Sequence, residues 1–84
     1  MILHTINKPA ALAQCEALIA EGDAVVLIED GVYLALQSLP FPVRVMDGDA
    51  EARGITAKLN RDQMINYAGL VDLSVQADKI CAWF

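Results

Sequence analysis

Apolar runs and helical spacings alternate along the chain, and this alternation predicts strands and helices in turn. Residues 1–6 are typical of a first strand. Pro9, placed in a first helical turn, predicts a helix over residues 10–20 that Gly22 closes. Residues 24–28 are all apolar. A strand that is apolar on both sides must be covered on both faces, which is typical of a parallel sheet between helices.

The second half of the chain continues the alternation in shorter pieces. Pro40 and Pro42 stop a short helix over residues 32–37, and Asp49 is expected to cap a short helix that ends at Arg53. The other predicted elements are a strand over residues 43–46, a strand over 63–66, a helix over 67–77 and a strand over 79–84. Such alternation forms right-handed βαβ units. We therefore predict one α/β domain over residues 1–84, with a small three-layer α/β/α architecture and a mostly parallel sheet of about five strands.

The composition is more apolar than a small domain can bury. Of the 84 residues, 56% are hydrophobic and only 20% are charged, and the mean hydropathy is +0.40. A chain of this length hides only roughly 60–65% of its unfolded surface, so a single core cannot cover this much apolar surface. We therefore expect the protein to associate with other chains.

The charge argues against direct contact with nucleic acids. Six Lys and Arg residues are scattered among eleven Asp and Glu residues, which gives a net charge of −5. A groove that follows phosphates needs clustered cations. The longest uncharged stretch, residues 31–43, is broken by Pro40 and Pro42, so no bilayer-spanning segment is predicted and a cytoplasmic location is expected. Cys15 and Cys81 are then expected to be free thiols.

Acidic residues follow two of the predicted strands, where open α/β sheets collect ligands. Asp47 and Asp49, with Glu29 and Asp30 nearby, are the basis for one alternative, a metal- or anion-binding module. Helix capping and turn formation explain the same residues without a ligand. No Gly-rich phosphate loop and no nucleophile elbow is present, so the sequence assigns no cofactor and no definite metal ligand.

The remaining candidates are a cysteine, a histidine and three aromatic residues. Cys15 lies inside the first predicted helix beside an acidic residue, which favours a protonated core thiol, and its alternative role is that of a persulfide carrier. His4, the only histidine, suits a hydrogen-bonded structural role or a place at an interface. Tyr33, Trp83 and Phe84 are further interface candidates, because exposed aromatic side chains often anchor subunit contacts. Burial within the monomer is the alternative for Trp83 and Phe84.

Several segments, in this order and spacing, resemble the DsrH/TusB family. The resemblance spans nearly the whole chain. Residues 37–42 form a shorter segment than is usual in the family, and residues 76–78 also depart from its pattern. The segments that carry the likeness are Leu3–Pro9, Glu21–Asp23, Glu29–Tyr33, Ala52–Gly54, Tyr67–Asp72 and the late Trp83.

The resemblance implies a DsrE/DsrF/DsrH-like fold and a subunit of a cytosolic sulfur-relay complex. In TusB-like members, this complex is a heterohexamer with sister subunits similar to TusC and TusD, and it passes persulfide sulfur toward 2-thiolation of the tRNA wobble uridine. The main sulfur-carrying cysteine belongs to a sister subunit, which implies an accessory role here and only indirect contact with tRNA. DsrH-like members, by contrast, serve a dissimilatory sulfur-oxidation complex with DsrE- and DsrF-like subunits. In that branch Cys15 stands where a persulfide carrier is found.

Overall fold

Five parallel strands form the centre of the fold. The computed structural model describes residues 1–84. The strands are hydrogen-bonded in the order β4-β3-β2-β1-β5, and every neighbouring pair is parallel. They are β1 (Ile2–Ile6), β2 (Ala24–Leu27), β3 (Arg44–Met46), β4 (Met64–Ile65) and β5 (Lys79–Trp83).

Short helices connect the strands, and only one of them is longer than eight residues. None is long and apolar enough to cross a membrane. The α-helices are α1 (Leu12–Cys15), α2 (Asp47–Ala52) and α3 (Tyr67–Gln76). The 3-10 segments are Pro9–Ala11, Glu16–Leu18, Glu29–Leu36, Thr56–Lys58 and Arg61–Gln63.

Both faces of the sheet are covered, which confirms the predicted three-layer α/β architecture. Along β2, Val25 and Leu27 belong to a main core of 11 buried residues on one face. Val26 points the other way, into a smaller cluster of 3 buried residues that is backed by leucines of α3. The apolar run of residues 24–28 predicted this double coverage, because successive strand residues point to opposite faces.

The first predicted helix, residues 10–20, is shorter and less regular in the structure. Helical turns run from Pro9 to Leu18, and Ile19 is already extended, with φ −83° and ψ 115°. The amide of Ala20 donates to Asp23 Oδ2 at 3.0 Å instead of continuing a helix. The carboxylate thus ends the helix before Gly22 does, a local competition that helical periodicity does not report.

The predicted cap at Asp49 is wrong, although the short helix exists. The helix begins at Asp47, and Met46, which occupies the N-cap position before it, makes no side-chain cap. The Asp49 carboxylate instead accepts a hydrogen bond of 2.8 Å from the amide of Glu29. Asp49 therefore ties α2 to the 3-10 helix Glu29–Leu36, which begins three residues earlier than the helix predicted over residues 32–37.

Gly31 is required where this 3-10 helix crosses the end of β1. A Cβ atom at Gly31 would lie 2.0 Å from the carbonyl oxygen of Ile6, far inside van der Waals contact. The same carbonyl accepts the amide of Ile28 at 3.0 Å. This close approach fixes the chain that follows β2 against the end of β1.

Candidate functional site

A buried polar cluster joins the first strand, the loop before the second strand and the last strand. His4 is 2% exposed, and its ring lies between the side chains of Asp23 and Trp83. His4 Nε2 is 3.1 Å from Asp23 Oδ2, and Trp83 Nε1 is 3.1 Å from His4 Nδ1. Strand pairing positions these groups, because β5 lies directly beside β1 with Trp83 in register with Ile6.

The hydrogen-bond pattern assigns one tautomer to His4. The indole Nε1 of Trp83 can only donate a hydrogen bond, so His4 Nδ1 must accept it and carries no proton. The ring proton then lies on Nε2, which donates to the carboxylate of Asp23. His4 is therefore a neutral imidazole held at both nitrogens.

Asp23 is the anionic centre of this cluster. Its carboxylate accepts the amides of Ile2 and Ala20, each at 3.0 Å, as well as His4 Nε2. These hydrogen bonds, with the two backbone amides as the main cause, lower the pKa of Asp23 to about 2. Asp23 stays ionised under ordinary conditions and fixes the start of β1, the end of the first helical segment and the histidine ring.

The cluster resembles half of a catalytic triad and lacks the reacting half. In such triads, a carboxylate orients a histidine whose other nitrogen faces a nucleophile. Here Trp83 occupies that second position, and an indole N–H has no nucleophilic chemistry. The cluster therefore joins β1, the loop before β2 and β5, and both ring nitrogens of His4 have hydrogen-bond partners. Asp23 was not among the sequence candidates, because no local pattern connects it to residues 4 and 83.

Cys15 lies in the main core with 0% exposure. Its thiol is 3.7 Å from the carbonyl oxygen of Leu12, which it faces as a donor. Burial, the largest cause, raises the pKa of the Cys15 thiol, and the charge of Glu16 raises it further. Cys15 lines none of the surface cavities. In this conformation, the thiol is neither ionised readily nor open to a donor persulfide.

The other sequence candidates lie in different environments. Trp83 is half-buried and packs against the main core as well as binding His4. Tyr33, in the 3-10 helix Glu29–Leu36, is exposed, and Phe84, directly after β5, is 72% exposed. Of the four interface candidates, His4 lies inside the fold and Trp83 is half-buried, so Tyr33 and Phe84 are the two that lie exposed at the surface.

A cavity of about 460 Å³ opens at the carboxyl ends of the strands, where sequence reasoning placed a possible ligand. Three of the four acidic side chains at this end of the sheet already have hydrogen-bond partners, Asp47 through the amide of Gly48. Asp49 binds the Glu29 amide, and Arg53 Nε donates to Asp30 at 2.8 Å. No group of three or more His, Cys, Asp and Glu side chains comes together to hold a metal ion. The cavity is lined by Ile28, Glu29, Met46, Asp47, Gly48, Asp49, Tyr67 and Leu70.

Comparison with a known structure supports the observed topology. The ychN protein from E. coli, known from a crystal structure, superposes with a TM-score of 0.66 and covers 96% of both chains. The sequence identity is 17%, so this likeness shows the fold alone.

Known sequences match this chain over almost its whole length. A protein named TusB from Shigella sonnei (strain Ss046) is 33% identical over 95 residues, covering 98% of this chain and 100% of that protein. A TusB protein from Escherichia coli O1:K1 / APEC is 32% identical with the same coverage. The model of the family described as "DsrH like protein" matches residues 7–80. The family model covers most of the chain, and the TusB relatives match it from end to end. Together they show that the chain belongs to the DsrH/TusB family.

Proposed function

We propose that this protein is an accessory subunit of a cytosolic sulfur-relay complex that passes persulfide sulfur toward 2-thiolation of the tRNA wobble uridine. The observation that carries the proposal is the end-to-end match to TusB proteins at about one-third identity. Family membership supports a sulfur-relay role in tRNA thiolation in general. The buried Cys15 supports the accessory assignment, because a sulfur carrier needs an accessible thiolate.

The surface is consistent with a subunit that works through sister proteins. Several large apolar side chains are exposed, as expected for a chain that associates with others, and they include Leu18, Tyr67, Val75 and Phe84. The net charge of −5 is unfavourable for binding the tRNA backbone. The partners we propose are sister subunits similar to TusC and TusD, with tRNA reached only through them.

The test combines complex assembly with a measurement of the tRNA product. Co-expression with the two sister subunits is expected to yield a stable co-purifying complex. Deletion of this chain is expected to lower the 2-thiouridine content of cellular tRNA, measured by nucleoside mass spectrometry. Re-expression of the Cys15→Ala variant is expected to restore it fully, because the proposal gives Cys15 no sulfur to carry. Normal 2-thiouridine in the deletion strain would reject the proposal.

The second candidate is a DsrH-type subunit of a dissimilatory sulfur-oxidation complex, with Cys15 as persulfide carrier. It is favoured by the match of the DsrH family model over a range that includes Cys15. In that chemistry, the Cys15 thiolate attacks the outer sulfur of a donor persulfide, the S–S bond of the donor breaks, and the donor leaves as a thiolate. Because the thiol is buried, α1 would have to move first.

Intact-mass analysis separates the two candidates. After incubation with a low-molecular-weight persulfide, a carrier gains the mass of one sulfur atom on Cys15, and the Cys15→Ser variant loses that gain. The Cys81→Ser variant is the matched control, because it removes the other thiol and leaves the first helix intact. An increment that is unchanged in Cys15→Ser excludes Cys15 as the carrier.

A further inference from the structure

The hydrogen bond between Trp83 and His4 exists in only one charge state of the imidazole ring. The two nitrogens are 3.1 Å apart while the ring centroids are 6.3 Å apart, so the rings meet edge to edge. The indole Nε1 can only donate, and His4 Nδ1 accepts through the lone pair in its ring plane. A second proton on the ring would occupy that same lone pair. Two donors would then face each other across 3.1 Å.

The opposite side of the His4 ring favours the added proton. His4 Nε2 lies 3.1 Å from Asp23 Oδ2, and the two side chains are 2% and 8% exposed. An imidazolium in this place keeps its hydrogen bond to the carboxylate and adds a charge attraction. The amides of Ile2 and Ala20, together with His4, lower the pKa of Asp23 to about 2, so the carboxylate is still ionised at pH values where imidazole is protonated. Protonation of His4 therefore removes its bond to Trp83 and strengthens its bond to Asp23.

The other ionisable groups around His4 leave this balance to Asp23. Asp23 is the only charged side chain hydrogen-bonded to the ring, and β2 carries no ionisable residue. Cys81, in register with His4 on β5, contributes a thiol. The charged side chains of the remaining neighbours are exposed, where water and salt screen them, and the α-amino group of Met1 is paired with Asp78. These remaining neighbours are Met1, Lys8, Cys15, Glu16, Glu21, Asp78 and Lys79.

We propose that His4 and Trp83 form a pH-sensitive switch at the end of β5, closed while the imidazole is neutral and opened when it takes up a proton. In the closed state, Trp83 packs against the main core and donates to His4 Nδ1. In the open state, the proton is on Nδ1, the imidazolium is held by Asp23, and the indole has turned away. Imidazole groups change charge between about pH 5 and 8, so mild acid operates the switch.

The position of Trp83 allows the movement to stay local. Trp83 is the last residue of β5, and it is half-buried rather than one of the 11 buried residues of the main core. Its carbonyl oxygen accepts the amide of Asn7 at 3.2 Å, a backbone bond that rotation of the side chain does not break. Phe84, the next residue, is already 72% exposed. Opening the switch therefore places two neighbouring aromatic side chains at the surface. The inference does not depend on the sulfur-relay function, because it concerns the isolated chain.

The test follows both ends of the hydrogen bond in the full native chain. The sequence contains one histidine and one tryptophan, so each signal belongs to a single residue. Between about pH 8 and 4, imidazole NMR shifts report the charge of His4, and indole fluorescence with acrylamide quenching reports the exposure of Trp83. We expect the emission to move to longer wavelength and quenching to rise with the midpoint of the His4 titration, while far-UV circular dichroism stays constant. A Trp83 signal that does not follow His4, or loss of the fold at the same pH, overturns the proposal.

Two variants separate the switch from a general effect of acid. His4→Gln offers one acceptor and one donor but gains no proton, so the fluorescence step is expected to disappear. Trp83→Phe removes the opposing donor, and coupling between the two groups is reciprocal, so the His4 titration is expected to move to higher pH by about one unit, a tenfold change in the protonation equilibrium. A persisting step in folded His4→Gln, or an unmoved titration in folded Trp83→Phe, contradicts the switch. If neither variant folds, the titration of the native chain decides.

Discussion

Replacement of Trp83 with Phe tests the buried His4 cluster most directly. The substitution keeps an aromatic ring but removes the N–H that donates to His4 Nδ1 at 3.1 Å. Since His4 is 2% exposed, water cannot replace the lost donor without opening the fold. A buried acceptor left without a partner costs about 1–3 kcal/mol.

The total effect follows from this loss and the smaller ring. Phe also buries roughly 40 Å² less ring surface than Trp, which amounts to about 1 kcal/mol at about 25 cal/mol per Å². We therefore expect Trp83→Phe to lower the free energy of unfolding by about 2–4 kcal/mol, a large share of the roughly 5–15 kcal/mol typical of a domain.

A double-mutant cycle with His4→Leu isolates the hydrogen bond. In the His4→Leu background the indole N–H has already lost its acceptor, so Trp83→Phe should cost at most about 1 kcal/mol, the contribution of the ring surface. Equilibrium urea unfolding of the four chains measures both values. An equal cost of Trp83→Phe in the two backgrounds would refute the assigned hydrogen bond. So would ring nitrogen NMR shifts showing a proton on His4 Nδ1 at neutral pH.

Other perturbations test the backbone, the carboxylate and the thiols. Gly31→Ala is expected to destabilise the fold by about 3 kcal/mol in urea unfolding, because its Cβ would overlap a fixed backbone carbonyl. Gly48→Ala, with nothing within 4 Å of the added Cβ, should instead be neutral or stabilise α2 by up to about 1 kcal/mol. Folding lowers the pKa of Asp23 from 3.8 to about 2, so the ionised carboxylate stabilises the folded state. This contribution to the free energy of unfolding is complete above pH 3.8 and is lost as the pH falls toward 2. Thermal melts should show the melting temperature of the native chain falling over this pH range. The Asp23→Asn variant should be less stable than the native chain at neutral pH, and its melting temperature should change less between pH 3.8 and about 2. In the native chain, iodoacetamide should modify Cys81 well before the buried Cys15, and equal rates would contradict the burial of Cys15.

The layered α/β architecture was accessible from local patterns. A strand with apolar residues on both sides needs cover on both faces, and β2 receives it from Val25 and Leu27 on one side and Val26 on the other. Family membership could also be predicted from the sequence, because the order and spacing of the short segments that carry the likeness can be read directly from the chain. The predicted ends of the elements were less accurate. The first helix ends early because Asp23 captures the amide of Ala20, a contact made by a side chain outside the helix.

Composition and local patterning are enough to show that the chain is acidic, rich in apolar residues and built of alternating strands and helices. Which groups the few chemically active side chains contact depends on how the strands are ordered in the sheet. His4 and Trp83 are 79 positions apart, and they meet only because β5 crosses back to pair with β1. Periodicity reports which side of an element is buried, whereas strand order reports which elements are neighbours. The burial of Cys15 and the place of Cys81 on an edge strand both follow from strand order and from how the helices cover the sheet.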